Sequence, residues 1–202
     1  MLNLLNLSCK APAFNSVYFP YGGYVVQRDG WQPESLYAFM KNSRPGSGHK
    51  NEEGNGLQIS AFGQDLLVSS GGEAYDPDQP LKTFWRSTAS NNSIIVDGYS
   101  QNLRYKAEVP VTYKEPIKAR YLTGNDFDFA EGMFTGAYSG LNIYKHGKNT
   151  AKPDLINHDV IISDVTHNLE LIFLRKLKIW IITDMITSEK PHEFTQTWLL
   201  AP

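Results

Sequence analysis

Residues 46–101 decide the fold and read GSGHKNEEGNGLQISAFGQDLLVSSGGEAYDPDQPLKTFWRSTASNNSIIVDGYSQ. Within them, residues 57–61 alternate apolar and polar side chains, the pattern of a half-buried strand. Phe62-Gly63-Gln64-Asp65 predicts a tight turn, because glycine takes positive φ without steric cost and aspartate bonds the local backbone. Residues 66–68 return as a second strand, so this part predicts a β-hairpin. A third strand is predicted at 93–96, ending on the turn Asp97-Gly98.

The rest of the chain has the same β-rich character. Its 11 prolines, 16 glycines and 12% aromatic residues are spread evenly, which favours many short strands over helices. A candidate helix at residues 33–40 could also be a strand. We therefore predict an all-β chain, with residues 1–12 as an irregular lead-in and residues 13–202 as one antiparallel two-sheet β-sandwich of the supersandwich type.

The last fifty residues are the most regular part of the sequence. The runs at 160–162, 169–174 and 178–183 are nearly continuous in apolar residues, which predicts a meander in a sheet that is covered on both faces. Trp180 and Trp198 are accordingly predicted to be core residues, whereas the glycine-bearing stretch 131–140 is interpreted as a loop. A strand carrying Trp198 would need a following partner, so we expect a fragment that is incomplete at its C-terminus.

The bulk composition excludes several classes of function. The net charge is −2 and the pI is near 6.2, so there is no basic field for a nucleic acid. The single cysteine, Cys9, excludes an internal disulfide and a cysteine-based metal site. No run approaches the roughly 20 apolar residues of a transmembrane helix, so we expect no membrane partner.

Several motifs along the chain occur together in one known family. They are GGYVVQR at 22–28, the bend HKNEE at 49–53 before an alternating strand, Tyr75 with NNSIIVDG at 91–98, and IITDMI at 181–186. Together they resemble the C-terminal β-sandwich domain of the heparinase II/III-like polysaccharide lyases, a group that includes relatives acting on alginate. The resemblance covers residue 22 onward and is strongest over 48–101.

The resemblance implies an enzyme in which an α/α toroid precedes this β domain, and which cleaves uronic-acid polysaccharides by β-elimination. The reaction needs a neutralised C5 carboxylate, a base for the α-proton and an acid for the leaving O4. The family's β domain contributes the bend histidine, here His49, as a catalytic residue, and the toroid contributes a tyrosine, an asparagine and another histidine. The implied partners are an acidic polysaccharide and a helical toroid of the same or a neighbouring chain. The implied location is periplasmic or secreted.

The zinc ligands of the family are replaced in this sequence. The resemblance places the second bend histidine, an aspartate and the histidine of the His-Asn pair at Asn51, Ser69 and Asn91. Zinc prefers imidazole, thiolate or carboxylate ligands, so none of the three is competent. We therefore predict no zinc and no other cofactor, with a hydrogen-bonded polar cluster at these positions.

Five residues around the bend are candidates for substrate binding: Tyr75, Trp85, Arg86, Asn92 and Gln101. Arginine is the natural bidentate partner of a carboxylate or sulfate, although the stem of Arg86 could instead cover the aromatic edge beside it. An asparagine in a turn often satisfies backbone groups instead of a ligand. For His49 the alternative is an exposed loop histidine.

The other histidines match no metal template and are interpreted as surface-turn residues: His146, His158, His167 and His192. The sequence thus predicts a polysaccharide lyase-like domain that acts on or binds acidic polysaccharides, weak or inactive without its toroid. The alternative is a non-catalytic carbohydrate-binding or structural module that has lost metal and activity. A protein-interaction domain is a third possibility.

Overall fold

The computed structural model describes residues 10–42, 51–70, 82–103, 115–140, 142–143, 154–155 and 160–202. Strands dominate this part of the chain. They are β1 Val17–Phe19, β2 Tyr24–Arg28, β3 Tyr37–Lys41, β4 Gly56–Ala61, β5 Gln64–Leu67, β6 Ile94–Val96, β7 Ser100–Asn102, β8 Tyr121–Thr123, β9 Phe127–Phe134, β10 Ala137–Ser139, β11 Asn142–Ile143, β12 Asp154–Leu155, β13 Ile161–Ile162, β14 Val165–Leu174, β15 Ile179–Ser188 and β16 Phe194–Gln196. A short helix, α1 (Lys82–Arg86), and a 3-10 turn, Thr88–Ser90, interrupt them.

A five-stranded antiparallel sheet, in the order β1-β2-β3-β4-β5, contains the predicted hairpin. The connection between β4 and β5 has positive φ at both Phe62 (56°) and Gly63 (75°), as a two-residue type I′ turn requires. The hairpin is therefore confirmed, although its turn consists of Phe62 and Gly63 alone and its second strand is Gln64–Leu67 instead of 66–68. The stretch at 33–40 is strand rather than helix from Tyr37 onward.

A four-stranded antiparallel sheet, in the order β15-β14-β9-β8, packs against the five-stranded sheet. Inward-facing side chains of both sheets form one core, which contains Val25, Ala38, Met40, Leu57, Ile59, Ala130, Leu169 and Leu171. Two sheets facing each other across an apolar layer make a β-sandwich. The predicted all-β, two-sheet architecture is confirmed.

Three smaller sheets occur in the described part of the chain. One has the order β13-β10-β7, another pairs β6 with β16, and the third pairs β11 with β12. The turn after β6 has positive φ at Asp97 (49°) and Gly98 (76°), as predicted from the sequence. The interpretation of 131–140 as a loop is wrong, because β9 continues to Phe134 and β10 follows it.

The prediction of a meander covered on both faces is also wrong for the described residues. Strand β13 pairs with β10 and not with β14, and β15 lies at the edge of its sheet. Ile179 and Ile181 are each 44% exposed, so the outer face of β15 is open. Trp198 is 42% exposed, which contradicts its assignment to the core. Trp180 is half-buried and stacks on Phe173 with ring centroids 4.7 Å apart.

Buried polar side chains connect the two sheets. Gln27 Nε2 on β2 donates to Leu171 O on β14 at 3.1 Å. Asp128 on β9 is fully buried and accepts from Arg175 Nη2 at 2.6 Å and from Ser16 Oγ at 2.5 Å. These hydrogen bonds satisfy groups that would otherwise be costly to bury. They also fix the position of one sheet on the other.

Candidate functional site

A bend at residues 51–56 forms the centre of the candidate site. Glu52 N donates to Arg86 O at 2.9 Å, and Thr88 Oγ1 donates to Glu52 O at 2.7 Å. The Glu52 carboxylate accepts from the backbone N–H of Leu103 at 2.7 Å. The bend therefore lies against the segment that begins with α1 and ends after β7.

Gly54 is the point where this bend packs most closely. A Cβ at this position would lie 2.7 Å from the Phe134 ring. Gly54 N donates to Gln101 Oε1 at 2.6 Å, and Gly54 O accepts from Gln101 Nε2 at 3.1 Å and from Ser93 Oγ at 2.8 Å. The buried Gln101 amide thus takes the place of a neighbouring strand for this backbone unit.

Asn92 has a similar role on the other side of the bend. Its Nδ2 donates to Leu57 O at 2.7 Å and to Val68 O at 3.0 Å, and its Oδ1 accepts from Leu199 N at 2.6 Å. Asn92 and Gln101 are both buried, and each polar end of their amides is hydrogen-bonded, so they hold the bend in position. Their predicted contact with substrate stays a prediction, and it would require these hydrogen bonds to be exchanged.

Trp85 and Arg86 end the short helix α1 beside the bend. Both are half-buried. Ser90 Oγ donates to Trp85 O at 2.9 Å, which connects α1 to the 3-10 turn. The predicted residues His49 and Tyr75 lie outside the described residues. The structure therefore brings Trp85 and Arg86 next to the bend whose preceding residues carry His49.

A buried chain of polar groups that the sequence interpretation missed holds the bend from the four-stranded sheet. Asn55 has φ of +58° and donates through Nδ2 to His167 O at 3.0 Å. The His167 ring is fully buried on β14, and its Nε2 lies 2.6 Å from Asp184 Oδ1 on β15. The interpretation of His167 as a surface-turn residue is wrong. Its position within an alternating pattern, VTHNLEL, is the signal that predicts an inward-facing side chain.

A second histidine, His192, joins three loops at the end of the sandwich. Its Nδ1 lies 2.6 Å from Asp97 Oδ2, and its Nε2 lies 3.3 Å from both carboxylate oxygens of Asp164. The hydrogen bond to Asp97 raises the pKa of His192, although burial opposes it. The backbone N–H of Glu193 and the His192 ring together lower the pKa of Asp97. His192 lies in a loop as expected, but its carboxylate partners were not predicted.

Comparison with known proteins decides the family. A sequence profile described as heparinase II/III-like, C-terminal, matches residues 11–202. This chain belongs to the heparinase II/III-like family. Its fold is similar to that of the heparan sulfate lyase HepC from Pedobacter heparinus, with 19% identity and a TM-score of 0.66 over 95% of this chain and 25% of that chain. It is also similar to a heparinase III, with 13% identity and a TM-score of 0.65 over the same shares of the two chains.

The heparinase II/III-like domain spans about one quarter of the length of these solved relatives. At such low identity the structural likeness shows the fold alone. Among curated protein sequences, no significant match to the chain was found. The profile match over residues 11–202 thus establishes the family relationship to polysaccharide lyases.

The zinc that the family resemblance implies does not fit the residues of this heparinase II/III-like domain. Ser69 Oγ donates a hydrogen bond to Asn91 Oδ1 at 2.8 Å, so the side-chain oxygen atoms at these two positions are already hydrogen-bonded to each other. Asn91 Nδ2 donates to Ser87 O at 2.9 Å. Asn51 lies half-buried on the bend. Neutral oxygen donors of this kind are not the ligands that zinc selects.

The part of the chain that the structure describes contains no group of three or more His, Cys, Asp or Glu side chains placed to hold a metal ion. Within the same residues, no helix has the length and apolar character needed to cross a membrane.

Proposed function

We propose that this domain is the β-sandwich part of a polysaccharide lyase that cleaves acidic, uronic-acid polysaccharides by β-elimination without zinc. The observation that carries the proposal is the hydrogen bond between Glu52 N and Arg86 O, which lays the bend against the arginine-bearing helix. Covalent geometry limits the Cα–Cα separation of positions 49 and 52 to about 11 Å. This proximity supports the proposal that the His49 imidazole and the Arg86 guanidinium act on one sugar residue.

The two side chains have complementary tasks in this reaction. Arg86 forms a bidentate contact with the C5 carboxylate of the uronate, which makes the proton on C5 more acidic. His49 takes part in neutralising the same carboxylate or in proton transfer. The C5 proton goes to a base, the C4–O4 bond breaks, a C4=C5 double bond forms and the leaving O4 receives a proton. The remaining acid and base come from the helical toroid. We also propose that the protein is located in the periplasm or outside the cell.

The test follows the unsaturated uronate product by its ultraviolet absorbance. The chain and the full-length gene product are each incubated with alginate, heparin and heparan sulfate. We expect product from the full-length protein, and a loss of at least about 100-fold in kcat/KM in His49→Ala, since a proton-transfer group contributes about 100- to 10,000-fold. Arg86→Ala should raise KM and lower kcat.

Arg120→Ala is the matched control for Arg86→Ala, because Arg120 is an exposed arginine that pairs with Glu131 and Glu170 on the four-stranded sheet. It should leave activity unchanged. If no acidic glycan yields product but one binds with a dependence on Arg86, the domain is a carbohydrate-binding module. The resemblance places Asn51, Ser69 and Asn91 at the zinc positions of the family, and this inferred loss of the ligands favours the second candidate. Absence of both product and binding would refute both functions.

A further inference from the structure

A cavity of about 450 Å³ opens on the outer face of the five-stranded sheet. Its lining contains the polar residues Tyr37, Gln58, Ser60, Asp65 and Ser69, together with Ile59, Leu67 and Val68, of which Ile59 and Leu67 pack against the core. Cavities of about 300–1,000 Å³ are of the size that binds small ligands. This cavity is separate from the bend, but Ser69 is common to its lining and to the candidate site.

The cavity lies over a row of side chains that crosses four neighbouring strands. Arg28 pairs with Tyr37, Tyr37 with Ser60, and Ser60 with Asp65. Directly paired residues of an antiparallel sheet point to the same face, so the row forms one strip. With strands about 4.8 Å apart, the strip is about 14 Å long. It faces away from the core, since the adjacent residues Ala38 and Ile59 point inward.

The charges of the strip are separated along its length. Arg28 lies at one end, with its guanidinium carbon 4.1 Å from the centre of the Trp31 ring and 5.0 Å from that of Tyr37. Asp65 lies at the other end, is exposed, and makes no ion pair with any residue that the structure describes. The cavity itself therefore has an aromatic ring, an amide, hydroxyl groups and a carboxylate, and its lining includes no cation among the described residues.

We propose that this cavity is a second sugar-binding site, which takes an uncharged pyranose residue and disfavours a sulfated or uronate residue. An aromatic side chain provides an apolar surface for a pyranose ring, and a carboxylate accepts hydrogen bonds from neighbouring sugar hydroxyls. At the end of the cavity away from Arg28, the Asp65 carboxylate repels an anionic group. Tyr37, Gln58 and Ser60 complete the set of contacts.

This inference rests on the proposed function only in taking the ligand to be a polysaccharide. Ser69 also donates to Asn91 Oδ1 beside the bend, so the cavity adjoins the candidate site. The bend side takes the uronate through Arg86, and the cavity takes an uncharged neighbour.

The experiment measures binding of uncharged tetrasaccharides by NMR titration and calorimetry, with chitotetraose, cellotetraose and mannotetraose as probes. At least one probe should bind and shift the backbone signals of Tyr37, Gln58, Ser60 and Asp65. Tyr37→Leu should weaken that binding about tenfold, as loss of a ring contact of about 1.4 kcal/mol would. Asp65→Asn should weaken it less and should raise the affinity for a sulfated tetrasaccharide from heparin.

Glu34→Gln is the matched control for Asp65→Asn, because Glu34 is an exposed carboxylate outside the cavity. Glu34→Gln should change neither the affinity for the uncharged probe nor the affinity for the sulfated tetrasaccharide. Circular dichroism checks that each variant is folded. Failure of all three probes to bind the parent at about 10 mM overturns the inference. Binding that is equal in the parent and in folded Tyr37→Leu also overturns it. The lyase assay is independent of these outcomes, so the proposed function can stand when this site does not.

Discussion

His192 is a residue whose protonation state changes the contacts between three loops. As an imidazolium it donates through one nitrogen to Asp97 and through the other toward Asp164. Neutral imidazole has a single N–H, so deprotonation removes one of these two contacts. The backbone N–H groups of Glu193 and Lys190 donate to the same carboxylates and hold them in place.

We expect the stability of the domain to fall as the pH rises above neutral. The folded-state pKa of His192 is raised above its unfolded value of about 6.5. Its contribution is therefore fully present below about pH 6.5 and is lost as the pH rises through the folded pKa. The urea midpoint of the parent should be lower at about pH 8.5 than at about pH 6, and this difference should shrink in His192→Gln.

Below neutral pH the dependence of stability on pH has the opposite sign, because stability should fall as the pH falls. This opposite dependence provides an internal control. Hydrogen bonds lower the pKa of Asp97, and those from His192 and Lys190 lower that of Asp164 against the effect of its burial. Their contributions are present above about pH 3.9 and are lost as the pH falls through the lowered values. His192→Gln with the same change in midpoint between about pH 6 and about pH 8.5 as the parent would contradict the role of this ring.

At this scale the sequence identifies the neighbourhood of the site better than the orientation of its side chains. The sequence predicts Asn92 and Gln101 near the bend, and Gln101 bonds to Gly54 while Asn92 bonds to Leu57. Their burial could not be predicted, because it depends on partners that are distant in sequence. Asn92 bonds residues 35 and 107 positions away, and Gln101 bonds one 47 positions away. The inward orientation of His167 was predictable from strand alternation.

Strand β15 is the element with the most exposed apolar surface among the longer strands. It lies at the edge of the four-stranded sheet, and Ile179, Ile181 and Met185 on its outer face are each 43–44% exposed. An edge strand presents unpaired backbone N–H and C=O groups, and apolar side chains beside them favour pairing with another chain. The isolated domain should therefore self-associate through β15.

Ile181→Thr should reduce this self-association with little effect on stability. Threonine keeps the branched side chain that suits a strand but removes apolar surface, and exposed substitutions usually change stability by less than about 0.5 kcal/mol. Light scattering at increasing protein concentration measures the association. Leu122→Thr removes a similar side chain at the opposite edge of the same sheet and is the control. Equal effects of the two substitutions would argue against β15 as the contact.

The hairpin and the sheet of β15 show which elements are readable from sequence. The hairpin was predicted because Phe62-Gly63 determines its turn through local backbone chemistry. The β15 run was predicted to be covered on both faces because it is nearly continuous in apolar residues. An apolar run gives no information on which neighbour covers it. The exposure of the outer face of β15 therefore cannot be predicted from the sequence.

At the scale of the molecule, Arg175 and Asp128 connect the sandwich across its layers. Arg175 Nη2 bonds Asp128, and its Nη1 donates to Arg28 O in the five-stranded sheet at 2.5 Å. Asp128 also accepts from Thr123 Oγ1 at 2.6 Å. The all-β sandwich follows from the strand and turn patterns. This pair does not, because its members lie 47 positions apart.

Arg175→Met should lower the free energy of unfolding by about 3–5 kcal/mol, because it leaves the buried Asp128 carboxylate without its cation. Urea unfolding at neutral pH measures the change. Lys176→Met is the matched control, since the adjacent Lys176 forms an exposed pair with Asp126 and should change little. Similar losses in the two variants would show that the connection across the sandwich contributes no more than a surface pair.

Residues 199–201 pair with the free edge of β5: Val68 N donates to Leu199 O, Ala201 N donates to Leu66 O, and Leu67 forms a bridge with Leu200. On the ribosome the hairpin is made 133 residues before this partner (200 − 67). At about 5–20 residues per second, its edge waits about 7–27 s for Leu200 to be synthesised. During that interval the edge of β5 lacks the backbone partner that it has in the folded domain, and an unpaired edge can pair with another chain.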